Sequence, residues 1–324
     1  MATLQQDDLI ISDDAGSALE VDSFAELSEV EREQSTIVVA SYNIRYAVGS
    51  RLIGGSLGRR LGISMPKRRP HLVAGNLEKC AQAFSDNLRL PAPQILALQE
   101  ADKETVRAGG HHIARELAQR LRMNYAYAPL NVEQDESPKS REWYLDFEEQ
   151  ISPTETGRTG VALLSRLPFA TIKRLDLPWH KCAWRPRLAI CASFHVGGRT
   201  VHIFNSHIDP HATIPEQIEQ HEAVLAHADK IDGPVILLGD FNTLSKRSCL
   251  AMREFLESRG YNTPFRTGTA TWRSGPIRLH TDWIFTRGAG VKRFGVARRL
   301  SVSDHWPVWA EIDLKDEAEL EHDR

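Results

Sequence analysis

Six apolar runs in this chain begin or end on a polar side chain able to grip a cation or a phosphate oxygen. "VVASYN" closes on Asn43, "ILALQE" on Glu100, "HIFNSH" on His207 with Asp209 just beyond, and "VILLGDFN" on Asp240 and Asn242. Asp282 stands at the start of "TDWIF", and Asp304 and His305 are adjacent in "SVSDHWPV". If these runs are strands lying side by side, the groups meet at one rim. Carboxylates there suit a hard cation, and His and Asn offer protons to phosphate oxygens, which is the chemistry of phosphoester hydrolysis. A single carboxylate or Asn after a strand is ordinarily a turn or cap residue, so the weight lies on the ordered set.

The elements that must position these groups are legible as period and punctuation. "TIVVASYN", "QILALQE", "GVALLSRLP", "RLAICASFHV", "TVHIFNSHID", "PVILLGDFN", "TDWIFTRG" and "HWPVWAEIDL" read as strands, several of them apolar on both faces. Residues 71–88, 110–122, 216–231 and 248–259 carry apolar positions at helical spacing, with Pro215 placed for a first turn. "VGGRT", from Val196 to Thr200, separates two strand-like runs as a hairpin turn would, so part of the sheet is antiparallel. The class is α/β. Two segments resist assignment and are candidate substrate-facing or lid loops: the basic, Gly-rich Ala47 to Pro70, and the polar Asn131 to Arg158 with Trp143 and Tyr144.

Composition bounds the rest. At 324 residues the chain can bury a sizeable core, and its 26% charged and 41% hydrophobic residues exclude disordered and fibrous classes. Cys80, Cys182, Cys191 and Cys249 lack metal-type spacing and read as reduced thiols. No stretch has the length and apolarity of a membrane span or a secretory signal, so a cytoplasmic protein is the expectation. Residues 1–34 hold ten acids against one Arg, and the last ten residues five against two bases, so the formal charge of −3 conceals a basic body. The expected organisation is an acidic, flexible or loosely docked tail over 1–34, a catalytic domain over 35–314 and a charged tail over 315–324.

"SYNIRY", "ALQE", "NSHID", "LLGDFN", "HTDWIF" and "SDHWPV" resemble, in order, the motifs of the endonuclease/exonuclease/phosphatase superfamily, over roughly residues 36 to 314. The resemblance implies a four-layer α/β sandwich: two mixed β-sheets packed face to face, with flanking helices and the site at one edge. It implies hydrolysis of phosphoester bonds with Mg²⁺ or Mn²⁺. Carried over by motif, Glu100 is the principal metal-ligand acid, Asn43 helps hold the metal and the phosphate, and Asp304 lies beside the metal. Asp240 and Asn242 orient and activate the attacking water. His305 hydrogen-bonds the phosphate, Asp282 fixes His305, and His207 occupies a position where relatives use His or Tyr.

Other residues divide between binding and plain structure. His211 is near enough to the rim to touch substrate. Arg51, Arg59, Arg60, Lys67, Arg68 and Arg69 form a basic run suited to a polyanion or, equally, to solvent. His111 and His112 read as cap or surface residues, and Arg185 and Arg187 as surface charge. Trp143 and Tyr144 either stack on a substrate ring or anchor their loop. The expected function is a metal-dependent phosphoesterase acting on nucleic acid, a phospholipid headgroup or a small phosphorylated metabolite, with no obligate protein partner. The competing reading is a binding or scaffolding protein that keeps the fold without catalysis. His207, where abasic-site nucleases commonly carry Tyr, leans away from abasic-site repair.

Overall fold

Apolar residues alternate between two faces along the central strands, and both faces are covered. In Thr36–Asn43, Ile37 and Val39 join one core cluster, while Ala40 and Tyr42 join another. Ile95 and Ala97 divide from Leu96 and Leu98 in the same way, as Ile236 and Leu238 do from Val235 and Leu237. Strands with two apolar faces must be sandwiched between layers.

The computed structural model describes residues 10–12, 19–25, 34–49, 68–87, 90–130, 151, 154–180 and 185–314. Its strands begin with β1 (Ile10–Ser12), β2 (Glu20–Ser23), β3 (Thr36–Asn43), β4 (Ile95–Gln99) and β5 (Asn124–Pro129). They continue with β6 (Gly160–Ser165), β7 (Thr171–Asp176), β8 (Leu188–Val196), β9 (Arg199–His207) and β10 (Val235–Asp240). Last come β11 (Trp272–Ser274), β12 (Ile277–Leu279), β13 (Asp282–Arg287), β14 (Gly290–Val296) and β15 (Val308–Asp313). The helices are α1 (Arg69–Ser85), α2 (Ile113–Leu121), α3 (Ile214–Ala228) and α4 (Lys246–Ser258).

One sheet runs β1-β7-β8-β9-β10-β13 and the other β14-β15-β3-β4-β6-β5-β2, while β11 and β12 form a separate ribbon. Both sheets are mixed, with β3–β4 and β9–β10 parallel at their centres. α1 and α2 cover the outer face of the second sheet, α3 and α4 that of the first, and Ile37, Val39, Ile203 and Ile236 fill the space between. This is the expected four-layer sandwich. Each fully buried Ile, Val or Leu in these layers contributes about 1.5–3 kcal/mol, so the sheets form a stiff platform for their ends.

The helices start where local chemistry allows. Pro70 sits in the first turn of α1, Glu216 accepts a hydrogen bond from the Thr213 backbone N–H (2.6 Å) ahead of α3, and Ser245 caps α4 through the Ser248 N–H (3.0 Å). His112 is the N-cap of α2, as its position suggested.

Several expectations need amendment. The leader is not wholly a free tail: β2 pairs with β5 and β1 with β7, at the outer edges of the two sheets. Arg68 and Arg69 belong to the start of α1 rather than to a loop. Arg51, Arg59, Arg60, Lys67, Trp143 and Tyr144 lie outside the described residues. Arg185 and Arg187 are not surface charge, being 0% and 2% exposed.

Candidate active site

Register brings the polar strand ends together. β10 runs parallel to β9 and antiparallel to β13, with Asp240 opposite His207 on one side and Asp282 on the other. In the facing sheet Asn43 at the end of β3 is opposite Gln99, so Glu100 follows at the same edge. The loop before β15 supplies Asp304 and His305, and His305 bridges to Trp272 of β11. Gly239 is required for this closeness: at φ +143°, a Cβ there would lie 2.0 Å from the Ser206 carbonyl oxygen.

The rim is backbone-strained where it is chemically richest. Glu100 (φ +51°) and Asn242 (φ +50°) are both left-handed, as are Arg45, Tyr46 and Ala47 shortly after Asn43. Non-glycine residues held there cost energy and persist where the surroundings over-determine them, commonly at functional sites.

Asn43 ties the two sheets together, its Nδ2 donating to Glu100 Oε1 (3.2 Å) and Asp240 Oδ2 (2.9 Å). The backbone N–H of Asn242 donates to Asp240 Oδ1 (3.0 Å), and its side chain donates to the Ile208 carbonyl (2.8 Å). Asp282 accepts from Thr281 Oγ1 (2.7 Å) and has both oxygens at 2.9–3.1 Å from His305 Nδ1, which leaves His305 Nε2 facing Asp240 Oδ2 at 3.9 Å. Asp304 is paired with Arg45 at 3.1 Å, an arginine the motifs did not single out. The open cleft over these groups holds about 160 Å³ and is lined by Glu100, Asp240, Asn242, Asp304, His305, His207 and His211, with Leu244, Leu279 and Trp272 as its apolar wall.

Burial pushes the His305 imidazole toward its neutral form, but the Asp282 and Asp240 carboxylates outweigh it and hold the ring charged. Burial pushes the Asp240 carboxyl up, opposed by charged His305 and by hydrogen bonds from Asn43 and Asn242. His207 goes the other way, because burial and then the charges of Arg187 and Arg185 drive its pKa well down. A neutral His207 therefore stands 3.7 Å from Asp240.

Arg187 is the site residue that motif reading passed over. It lines the cleft with Nη1 at 3.3–3.4 Å from the two ring nitrogens of His207, and its buried Nε has no partner among the described residues. The signal was available, since "VGGRT" is a two-residue hairpin pairing Val196 with Arg199. Counting back along β8 sets Leu188 opposite His207 and Arg187 just past the rim. Gln99 and Asn205 were also passed over. Gln99 Nε2 donates to Asn205 Oδ1 (2.7 Å), and Asn205 Nδ2 donates to the carbonyls of Leu98 and Ala162, a polar tie between the sheets behind Glu100 and His207.

The donor set fits a hard divalent cation. Glu100 and Asp304 line the open cleft, with the Asn43 amide bonded to Glu100, carboxylate oxygens of the kind that Mg²⁺ or Mn²⁺ takes. Asp240, Asp282 and His305 also bring ligand atoms within 4.8 Å of one another. There, however, Nδ1 and both Asp282 oxygens are already engaged together, which makes that group a hydrogen-bonded relay.

The family described as Endonuclease/Exonuclease/phosphatase family matches residues 40–305. A Beutenbergia cavernae endonuclease/exonuclease/phosphatase shares the fold at 18% identity and TM-score 0.59, over 87% of this chain and 72% of that one. A Bacteroides thetaiotaomicron mannosyl-6-phosphatase aligns over 85% and 99% (18% identity, TM-score 0.52). ANGEL2, a 2′,3′-cyclic phosphatase in complex with adenosine-2′,3′-vanadate, aligns over 91% and 98% (12% identity, TM-score 0.56). No curated protein matches the chain.

Proposed function

Because the chain belongs to the endonuclease/exonuclease/phosphatase family, we propose that it is a divalent-metal-dependent phosphoester hydrolase acting by in-line attack of water. The observation that carries this reading is Asn43, hydrogen-bonded at once to Glu100 of one sheet and Asp240 of the other beneath an open cleft.

Glu100, with Asn43 and Asp304 at its flank, would hold Mg²⁺ or Mn²⁺. Bound there, the ion supplies positive charge to the phosphoryl oxygens. Asp240, oriented by the N–H groups of Asn43 and Asn242, takes the proton from water as its oxygen bonds to phosphorus and the ester P–O bond breaks. Asn242 fixes that water. Charged His305, held by Asp282, donates to a non-bridging oxygen whose charge grows in the transition state. His207 and Arg187 stand on the opposite wall, where the guanidinium adds a second cationic donor and neutral His207 faces the departing oxygen. His211 completes that wall. Arg59 and Arg60 remain candidate contacts for a polyanionic substrate.

The substrate classes are nucleic acid, phospholipid headgroup and small phosphorylated metabolite, and no described helix is long and apolar enough to cross a membrane. Hydrolysis of bis-p-nitrophenyl phosphate should stop on chelation and return with Mg²⁺ or Mn²⁺. Asp240→Asn and His305→Ala should each lower kcat by about 10²-fold or more while the protein stays folded. Folded wild-type protein inert on phosphomonoesters, phosphodiesters, DNA, RNA and sphingomyelin with either metal would instead favour a non-catalytic member of the fold.

A further inference from the structure

Beside the cleft lies a cluster of cations without counter-charges among the described residues. Arg273 and Arg278 are direct cross-strand partners in the β11–β12 ribbon, and like charges so placed destabilise a β-ribbon. Both guanidiniums lie over one ring, that of Trp306, at 5.2 and 5.8 Å from its centroid, and Arg298 approaches the same ring at 5.9 Å. None of the three forms an ion pair among the described residues. Arg278 donates only to the Gly275 and Ile277 carbonyls of its own turn. Arg278 and Arg298 are exposed, whereas Trp306 is 5% exposed and so serves as their platform.

The position of the cluster gives it meaning. Trp272 and Leu279, the neighbouring cross-strand pair of the same ribbon, line the cleft, and side chains alternate faces along a strand. The arginines therefore sit one ribbon's thickness beyond the cleft wall. Trp306 directly follows His305, and the Arg273 N–H donates to the Asp304 carbonyl (2.9 Å), so patch and catalytic rim share one piece of backbone. Repulsion among three planar, fork-shaped donors is relieved by an anion with several acceptor oxygens, and phosphate matches that geometry.

We infer that Arg273, Arg278 and Arg298 form a second anion subsite, taking a phosphate of the same substrate other than the one that is cleaved. The inference rests on the hydrolase reading for its biological use, and it selects substrates carrying at least two phosphates. The second phosphate is either the next backbone diester of a nucleic-acid strand or a further phosphate on a small molecule.

The test uses the full chain with Arg278→Gln and Arg298→Gln, singly and combined with Arg273→Gln. Three probes are compared: bis-p-nitrophenyl phosphate, the p-nitrophenyl ester of thymidine 5′-phosphate bearing a 3′-phosphate, and trithymidylate. In the triple variant kcat/KM should fall at least about tenfold on one or both of the probes with additional phosphates, and change less than about threefold on the first. The salt slope for trithymidylate should flatten by about 0.7 for each phosphate that the variant no longer neutralises. Loss confined to the thymidine bisphosphate assigns the subsite to small molecules, and loss on trithymidylate assigns it to a strand. Equal losses on all three probes, with a lowered melting temperature, would make the arginines structural and overturn the inference, as would no change on any probe. If wild type cleaves none of the three, the hydrolase reading is decided separately on the wider panel of phosphoesters. Trithymidylate binding to Asp240→Asn, with and without the three arginines, then decides the subsite by whether Kd rises at least about tenfold.

Discussion

Asp282 lies beside Asp240 in the sheet but is hydrogen-bonded to His305, and that bond gives its role a signature. Its two oxygens hold Nδ1, keep the ring charged and aim Nε2 toward Asp240. Asp282→Asn should lower kcat by about 10²-fold with little change in KM, because the contact it supports strengthens only in the transition state. Combined with His305→Ala, it should cost almost nothing further, since both changes remove one interaction. Multiplying losses in the double variant would give Asp282 an independent part. At this scale much was legible: Asn43, Glu100, Asp240, Asn242, Asp282 and His305 were recognisable as polar groups ending apolar runs, and all lie at one rim. Arg45 was not, because its burial depends on the carboxylate of Asp304 across from it, which a local pattern does not contain, and Arg187 emerges only when the hairpin register is counted back along β8.

Between residue and fold, sequence period located the central strands and the four described helices, because their apolar faces are buried whatever the neighbours. It missed β5, β7 and β14, whose "NYAYAP", "TIKRLD" and "GVKRFGV" mix polar and apolar residues near sheet edges. It also missed β2, a short strand with two acids, where the Glu20 carboxylate adds to the backbone ladder and to the packing of Leu19, Val21 and Phe24. Glu20 accepts hydrogen bonds from Lys103 Nζ (2.6 Å) and the Tyr125 hydroxyl, and pairs with His112. Burial pushes the Glu20 carboxyl up, but these partners outweigh it and hold it down at about 2, against an ordinary 4.5. A carboxylate depressed by folding stabilises the native state above its unfolded pKa, and that contribution is lost as pH falls through the folded one. Glu20→Gln should therefore melt below wild type at pH 6 to 7, with the gap narrowing from about pH 4.5 downward and closing near pH 2. Thermal unfolding at a series of pH values measures the gap. A gap constant with pH would mean that β2 docks by its backbone ladder and apolar contacts, without help from the Glu20 charge.

At the scale of the molecule, the two sheets are held by an apolar interface and by two polar ties close to the rim, Asn43 to Glu100 and Asp240, and Gln99 to Asn205. The first tie brings carboxylates from opposite sheets to one neutral amide. A divalent cation held by Glu100 beside this tie would bind the folded chain alone, because only folding brings Glu100 to Asn43 and Asp304, 57 and 204 residues away in sequence. Ligand that binds only the native state adds RT ln(1 + [L]/Kd), about 2.7 kcal/mol at a hundredfold excess over Kd. Adding Mg²⁺ or Mn²⁺ to chelator-treated protein should accordingly raise its melting temperature without any substrate present. Glu100→Gln, which keeps the shape and removes one charge, should abolish most of that rise. A metal-dependent rise of equal size in wild type and Glu100→Gln would move the ion away from the junction of the sheets, and with it the reason for two sheets to meet at this edge.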